Sequence, residues 1–263
     1  MAKRRGANRR RRRGSFRFLY KVLSILVICG AIIAALTLFF RVDTIAVTGQ
    51  QRYTEEQVQE VAGVLPGDNL FLLDKYDVAG KIVKQLPYIE EIRINRKLPD
   101  TLLIQLKEYG RPVVIVQDGQ AWFLGVSENI EASGKILDCR PEKDAAEYGV
   151  VSGCQLLAPS VGSKIAFATE YAAQQESLLA LLTALAESEM IGQVDGIRLD
   201  DPEILCMDYA GRFTVKLPYG ADYPYKLRYL AAILADERIQ DNMTGTIDMR
   251  RDDGRTNFIQ NVR

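Results

Sequence analysis

The chain of 263 residues contains no histidine. That absence removes the commonest general base and the commonest zinc ligand together. Cysteine is sparse: Cys29 sits in an apolar run, and Cys139, Cys154 and Cys206 lie beyond it at spacings that match no zinc motif. A Cys139–Cys154 disulfide and three unoxidised thiols both agree with this pattern. There is also no G-x-S-x-G elbow, no S-x-x-K and no phosphate loop of the form G-x-x-x-x-G-K-[ST]. The carboxylate pairs Glu55-Glu56, Glu90-Glu91 and Asp252-Asp253 do not replace these missing parts. Neighbours in a strand point to opposite faces and cannot share a site, and on helices or turns such pairs read as solvated surface. The expectation is a protein with no catalytic residue, no cofactor and no metal.

Acidic residues are missing from one end. None precedes Asp43, while 11 of the 34 basic residues lie within the first 41 positions. The formal net charge of zero therefore averages two unlike parts, because the remainder carries 23 basic against 34 acidic residues, a net of −11. An acidic body argues against nucleic acid, which calls for a basic footprint. The arginine-rich tail, residues 1–21, suits anionic lipid.

What is present begins with Val22 to Phe40, nineteen residues without a charge. At about 1.5 Å per residue they cross most of a hydrocarbon core roughly 30 Å thick. The cations in front of them predict a cytoplasmic N-terminus, with everything from Arg41 onward outside. The run is longer than a signal-peptide core, and its exit, Leu-Phe-Phe-Arg-Val-Asp, lacks the small residues of a cleavage site. It reads as a retained anchor in the lipid bilayer. Gly30-Ala31 and Ala34-Ala35 are small enough for close helix approach, although an anchor alone explains the segment.

A first unit is expected over 41–110. Asp43 to Val47 alternates like a strand and meets a turn at Gly49. Thr54 with Gln57 forms a capping-box pattern, and Val58, Val61, Ala62 and Leu65 give the following helix a buried stripe that Pro66-Gly67 ends. A second helix fits Asp77 to Leu86, stopped by Pro87, with Ala79, Ile82, Val83 and Leu86 on one face. Ile92 and Ile94, then Leu102, Ile104 and Leu106, alternate as two strands about a Leu98-Pro99-Asp100 turn. The order is strand, helix, helix, strand, strand.

A second, strand-rich unit is expected over 111–263. Val113 to Val116 and Ala121 to Leu124 flank Asp118-Gly119, a hairpin signal. Residues 127–165 are rich in Gly, Ser and Pro and read as irregular. Tyr171 to Ser188 is helical on the stripe Leu178, Leu181, Leu182 and Leu185. Strands are predicted at Gly196–Asp200, Ile204–Tyr209 and Arg212–Leu217, and a helix at Tyr225–Arg238 with Leu227, Leu230, Ala231 and Leu234 inward. Thr246–Met249, an Asp253-Gly254 turn and Thr256–Gln260 close the pattern. The fold class is α+β, with an N-terminal transmembrane helix and a largely antiparallel sheet in the second unit.

A final strand often lies at a sheet edge, where unpaired backbone groups accept a partner strand. Arg250, Arg251, Asp253 and Arg255 place charge beside it, and Phe258 and Ile259 offer apolar contacts on alternate faces. Those charges either set register and partner choice or protect the edge from aggregation. Strands Glu91–Lys97 and Thr101–Lys107 offer a second place for edge addition, or simply alternate against a core.

The order of these features resembles the FtsQ/DivIB family of bitopic bacterial cell-division proteins. Val47-Thr48-Gly49 resembles the family's first-strand turn, and Gly67-Asp68-Asn69-Leu70-Phe71 its G-x-N-L-F connector. Leu86-Pro87-Tyr88-Ile89 and Arg96-Lys97-Leu98-Pro99 resemble its hairpin. Glu108 with Arg111-Pro112 resembles an E-R-x-P junction, with Tyr109-Gly110 inserted, and Ile247-Asp248-Met249-Arg250 with Asp253-Gly254 resembles the I-D-L-R ending. The resemblance implies a POTRA (polypeptide-transport-associated) domain over 41–110 and a β domain over 111–263. It further implies a divisome scaffold that binds FtsB/DivIC-like and FtsL-like partners and supports septal peptidoglycan synthesis. The partner residues it implies are Arg251, Asp253, Gly254, Asn257, Phe258 and Ile259. An anchored envelope enzyme and a secretion-type POTRA protein are the competing readings.

Overall fold

The computed structural model describes residues 16–236, 238–240, 242–251 and 257–260. It opens with helix α1, Phe16–Phe39, which has no buried residue over its apolar window and is long and apolar enough to cross a membrane.

The first unit follows the expected order: β1 (Thr44–Thr48), α2 (Glu55–Ala62), α3 (Lys75–Gln85), β2 (Ile89–Lys97) and β3 (Thr101–Glu108). β3 is the central strand, parallel to β1 and antiparallel to β2. Thr54 and Gln57 form the expected capping box, Thr54 Oγ1 accepting from the Gln57 N–H at 3.3 Å and Gln57 Oε1 from the Thr54 N–H at 2.9 Å. α2 nevertheless stops four residues before Pro66, because Gly63 takes the left-handed conformation that closes the helix. As a result Leu65 is 67% exposed and Val64 takes the buried place expected of it. α3 starts earlier than expected, because Asp74 caps the Tyr76 and Asp77 N–H groups. Its buried face includes Val78 and Ile82 rather than Ala79. Gly49, at φ 87°, ends β1 in a turn where a Cβ would lie 2.0 Å from the Leu106 carbonyl oxygen.

The second unit is a nine-stranded, mostly antiparallel sheet. In chain order its strands are β4 (Val113–Gln117), β5 (Gln120–Leu124), β6 (Ile136–Pro141), β7 (Val150–Ser152), β8 (Val194–Arg198), β9 (Ile204–Tyr209), β10 (Phe213–Pro218), β11 (Gly245–Asp248) and β12 (Asn257–Gln260). In space the order is β12-β11-β10-β9-β8-β7-β4-β5-β6. Residues 127–165, read as irregular, supply β6 and β7. β6 lacks alternation and β7 is only three residues long, so pairing with β5, β4 and β8 defines them.

Helices α4 (Ala172–Glu187) and α5 (Tyr223–Leu234) cover one sheet face. The expected stripe on α4 is fully buried: Leu178, Leu181, Leu182 and Leu185 are each 0% exposed. Burial of each such side chain contributes about 1.5–3 kcal/mol. α5 departs from expectation. Asp222 caps it two residues early, it ends at Leu234, Ala231 is exposed, and the inward face is Tyr223, Lys226, Leu227 and Leu230.

The opposite face, at the β4-β5-β6 end, packs Val114, Phe123 and Leu137 against Tyr88 and Tyr109 of the first unit. This joint explains the Glu108 and Arg111 pattern. The Glu108 carboxylate accepts from the N–H groups of Gln51, Arg52 and Tyr53 in the first unit, at 3.0, 2.9 and 3.4 Å. The Arg111 guanidinium donates instead to the carbonyls of Glu147 and Gly192 in the second. Tyr88 Oη donates to Asp138 at 3.4 Å, and Tyr109 Oη to the Ala132 carbonyl at 2.9 Å. Burial, with nearby carboxylates adding to it, pushes both phenols up to about 12.

Candidate partner-binding edge

Strand β12 forms one edge of the large sheet, and its outer side pairs with no strand among the described residues. It runs antiparallel to β11 in a register that sets Asn257 opposite Asp248, Phe258 opposite Ile247, Ile259 opposite Thr246 and Gln260 opposite Gly245. Alternation then separates the two apolar residues. Phe258 turns toward the helices, edge-on to Phe213 at 6.2 Å between ring centres, and Ile259 is 59% exposed.

A second support is the absence of a side chain at Gly245. A Cβ there would come within 2.4 Å of the Ile259 carbonyl oxygen and 2.8 Å of the Phe258 ring. The third is Lys226 on α5, only 4% exposed, whose Nζ donates to the carbonyls of Met249 at 2.9 Å and Arg251 at 2.7 Å. A buried ammonium needs such acceptors, and these two lie where the chain leaves β11. Sequence reasoning missed both residues. The signal for Lys226 was available, since it occupies an inward position of the Tyr223, Leu227, Leu230 stripe.

Beside β12 an open groove of about 430 Å³ is lined by Tyr229, Ile233, Ile239, Met243, Phe258 and Gln260. Asp236 and Arg238 pair at 2.7 Å on its rim. The charge expected beside the edge is partly internal. Arg250 folds back on Asp248, 2.6 Å between charged atoms, and that hydrogen bond holds the Asp248 carboxyl below its usual range. Of the six expected partner residues, Asn257, Phe258 and Ile259 lie in β12, and Arg251 follows β11 with its carbonyl on Lys226. Asp253 and Gly254, like Arg255 and the Asp252-Asp253 pair, fall outside the described residues.

The smaller sheet corrects one expectation. β3 is central and has no free edge, so strand addition there is excluded, and β2 and β1 are the edges. Glu90 and Glu91 point apart as expected, Glu90 to Ser127 at 2.6 Å and Lys107 at 3.3 Å, Glu91 to Arg93 at 2.7 Å. Glu55 is not solvated surface: it accepts from the Val47 N–H at 3.3 Å. Cys29, Cys139, Cys154 and Cys206 are all free thiols, so the Cys139–Cys154 bridge is absent. Among the described residues no cluster of three His, Cys, Asp or Glu side chains is placed to hold a metal ion.

The family model described as "POTRA domain, FtsQ-type" matches residues 40–109. The chain is 34% identical to the cell division protein FtsQ of Corynebacterium glutamicum over 99 residues, 36% of this chain and 44% of that protein. It is 28% identical to FtsQ of Geotalea daltonii over 221 residues, 82% of this chain and 75% of the relative. It is 24% identical to the cell division protein DivIB of Clostridium botulinum strain Hall over 233 residues, 87% of each. The match thus spans under half of the corynebacterial protein and three quarters or more of the other two.

Proposed function

Since the chain belongs to the FtsQ/DivIB family of cell-division proteins, we propose that it is a membrane-anchored, non-catalytic scaffold of the divisome that grips its partners by strand addition at β12. In this reading residues 1–21 stay in the cytoplasm against anionic lipid, 22–40 cross the membrane, and 41–110 and 111–263 act outside as POTRA and β domains. The partners are FtsB/DivIC-like and FtsL-like proteins, and the outcome is septum assembly and support of septal peptidoglycan synthesis.

The observation that carries this reading is the position of β12: a short strand at a sheet edge, backed by an apolar groove beside Phe258. An added strand gains main-chain hydrogen bonds along β12, and its inward side chain has the groove to fill. Arg251, Asp253, Gly254, Asn257, Phe258 and Ile259 are the residues assigned to this contact.

The test is capture of an FtsB/DivIC-like ectodomain by the full chain in lipid nanodiscs. Phe258→Pro deletes a backbone N–H from β12 and should abolish capture. Undiminished capture by that variant rules out strand addition at this edge. Failure of the protein to gather at mid-cell during constriction rules out the septal role.

A further inference from the structure

The loop between α2 and α3 is bonded to the end of α1. Asn69 Nδ2 donates to the carbonyls of Leu36 at 3.1 Å and Thr37 at 3.2 Å, and its Oδ1 accepts from the N–H groups of Phe71 and Leu72 at 2.9 and 3.1 Å. Carbonyls in a helix's last turn have no partner within the helix, so one side chain closes α1 and folds the loop at once. Around it the backbone is stitched tightly. Leu70 N–H donates to Phe40 O at 2.9 Å, Val42 N–H to Asp68 O at 2.7 Å, and Gly67 N–H to Val42 O at 2.7 Å. Phe71 meets Phe40 edge-on at 5.1 Å.

This places the loop in depth. At about 1.5 Å per residue, the Leu36 carbonyl lies roughly 6 Å inside the end of the apolar run at Phe40. Any position of α1 that spans a bilayer therefore brings Asn69 and its neighbours to the level of the lipid headgroups. The side chains found there are apolar and exposed: Leu65 at 67%, Phe71 at 45% and Leu72 at 77%. The β2–β3 hairpin tip lies at the same end, since the Asp100 carbonyl accepts from Asp43 N–H at 2.8 Å, and Leu98 on that tip is 54% exposed. Cations surround them in Arg41, Lys97 and Arg96, the last 6.0 Å from the Phe71 ring and donating to the Leu73 carbonyl. Of the nearby carboxylates, those of Asp68 and Asp74 are turned onto backbone N–H groups of their own loop, that of Asp100 accepts from Thr101 Oγ1 at 3.0 Å, and Asp43 is exposed. An apolar patch with basic residues around it is the composition that seats in a headgroup layer.

We infer that the membrane-proximal end of the first unit is a lipid-docking surface, with Leu65, Phe71, Leu72 and Leu98 in the interfacial layer of the outer leaflet and Arg41, Arg96 and Lys97 toward its phosphates. The unit lies on the bilayer at a fixed angle to α1, held by Asn69, and does not swing below the anchor. This rests on α1 spanning the membrane.

Tryptophan depth measurements in the full chain test it, using phosphatidylcholine–phosphatidylglycerol proteoliposomes with lipids brominated near the ester or deep in the acyl chain. Val27→Trp reports the span, Leu72→Trp the docking surface, and Gln51→Trp the far end of the first unit, each measured against the parent with its native Trp122. The expected result is quenching of Val27→Trp by the deep probe, and of Leu72→Trp by the shallow probe beyond that of Gln51→Trp. Val27→Trp quenched with Leu72→Trp no different from Gln51→Trp overturns the docking surface and leaves the span standing. Val27→Trp unquenched by the deep probe overturns both.

Discussion

Lys226 on α5 donates from Nζ to the carbonyl of Met249 at 2.9 Å, binding a helix to the point where β11 ends. The same ammonium donates to the Arg251 carbonyl at 2.7 Å, so one side chain fixes how the chain leaves β11. Lys226→Met keeps the stem but strands two carbonyls, at a cost of about 1–3 kcal/mol for each unsatisfied buried group. Hydrogen exchange should then show early loss of protection in β11 and β12 with α4 unchanged, and partner capture should weaken.

Gly245→Val tests the close packing beneath β12. Its side chain would enter space held by the Ile259 carbonyl and the Phe258 ring. Overpacking of this kind costs about 1–3 kcal/mol, and the short edge strand yields first. Partner capture should fall, with near-native far-ultraviolet circular dichroism and an unchanged β2–β3 hairpin.

Glu108→Ala tests the loop at the start of α2. Three N–H groups lose a charged acceptor, and charge-assisted hydrogen bonds contribute about 1.5–3 kcal/mol each when well made. Because this site is largely exposed, the expected loss is at the low end, about 1–2 kcal/mol in urea denaturation. The loss should be confined to the first unit.

Alkaline pH should loosen the joint between the units. Tyr88 and Tyr109 hold their protons up to about 12 in the folded protein, whereas an unfolded tyrosine ionises near pH 10. The unfolded state therefore loses protons first as pH rises. Stability is fully present below about pH 10 and falls by about 1.4 kcal/mol per pH unit for each phenol up to their folded values. Denaturation series across that window should show the slope, and Tyr109→Phe should lower it by one phenol's share.

Much of the chain was legible because the information was local. The apolar run, the capping box at Thr54, the Leu178–Leu185 stripe and the Asp118-Gly119 turn each express a period or a pair a few residues apart. Boundaries moved where a single residue outweighed the pattern. Gly63 ended α2 before Pro66 was reached, and the Asp74 and Asp222 side chains started α3 and α5 early. β6 escaped detection because Ile136-Leu137-Asp138-Cys139-Arg140-Pro141 does not alternate apolar with polar, and β7 because it is three residues long with no hairpin partner: its hydrogen bonds go to β4 and β8, far away in sequence.

By itself the sequence determined a charge-flanked apolar helix, a strand-helix-helix-strand-strand unit and a strand-rich body without histidine, because hydrophobic periodicity and residue inventory can be read along the chain. Which strands are edges, how Glu108 and Arg111 divide their grip between two units, how Asn69 closes a helix more than thirty residues before it, and why a lysine is buried at 226 were decided only in three dimensions. Each of those is a hydrogen-bond donor or acceptor finding its partner across a distance in sequence, and no local pattern records such a pairing.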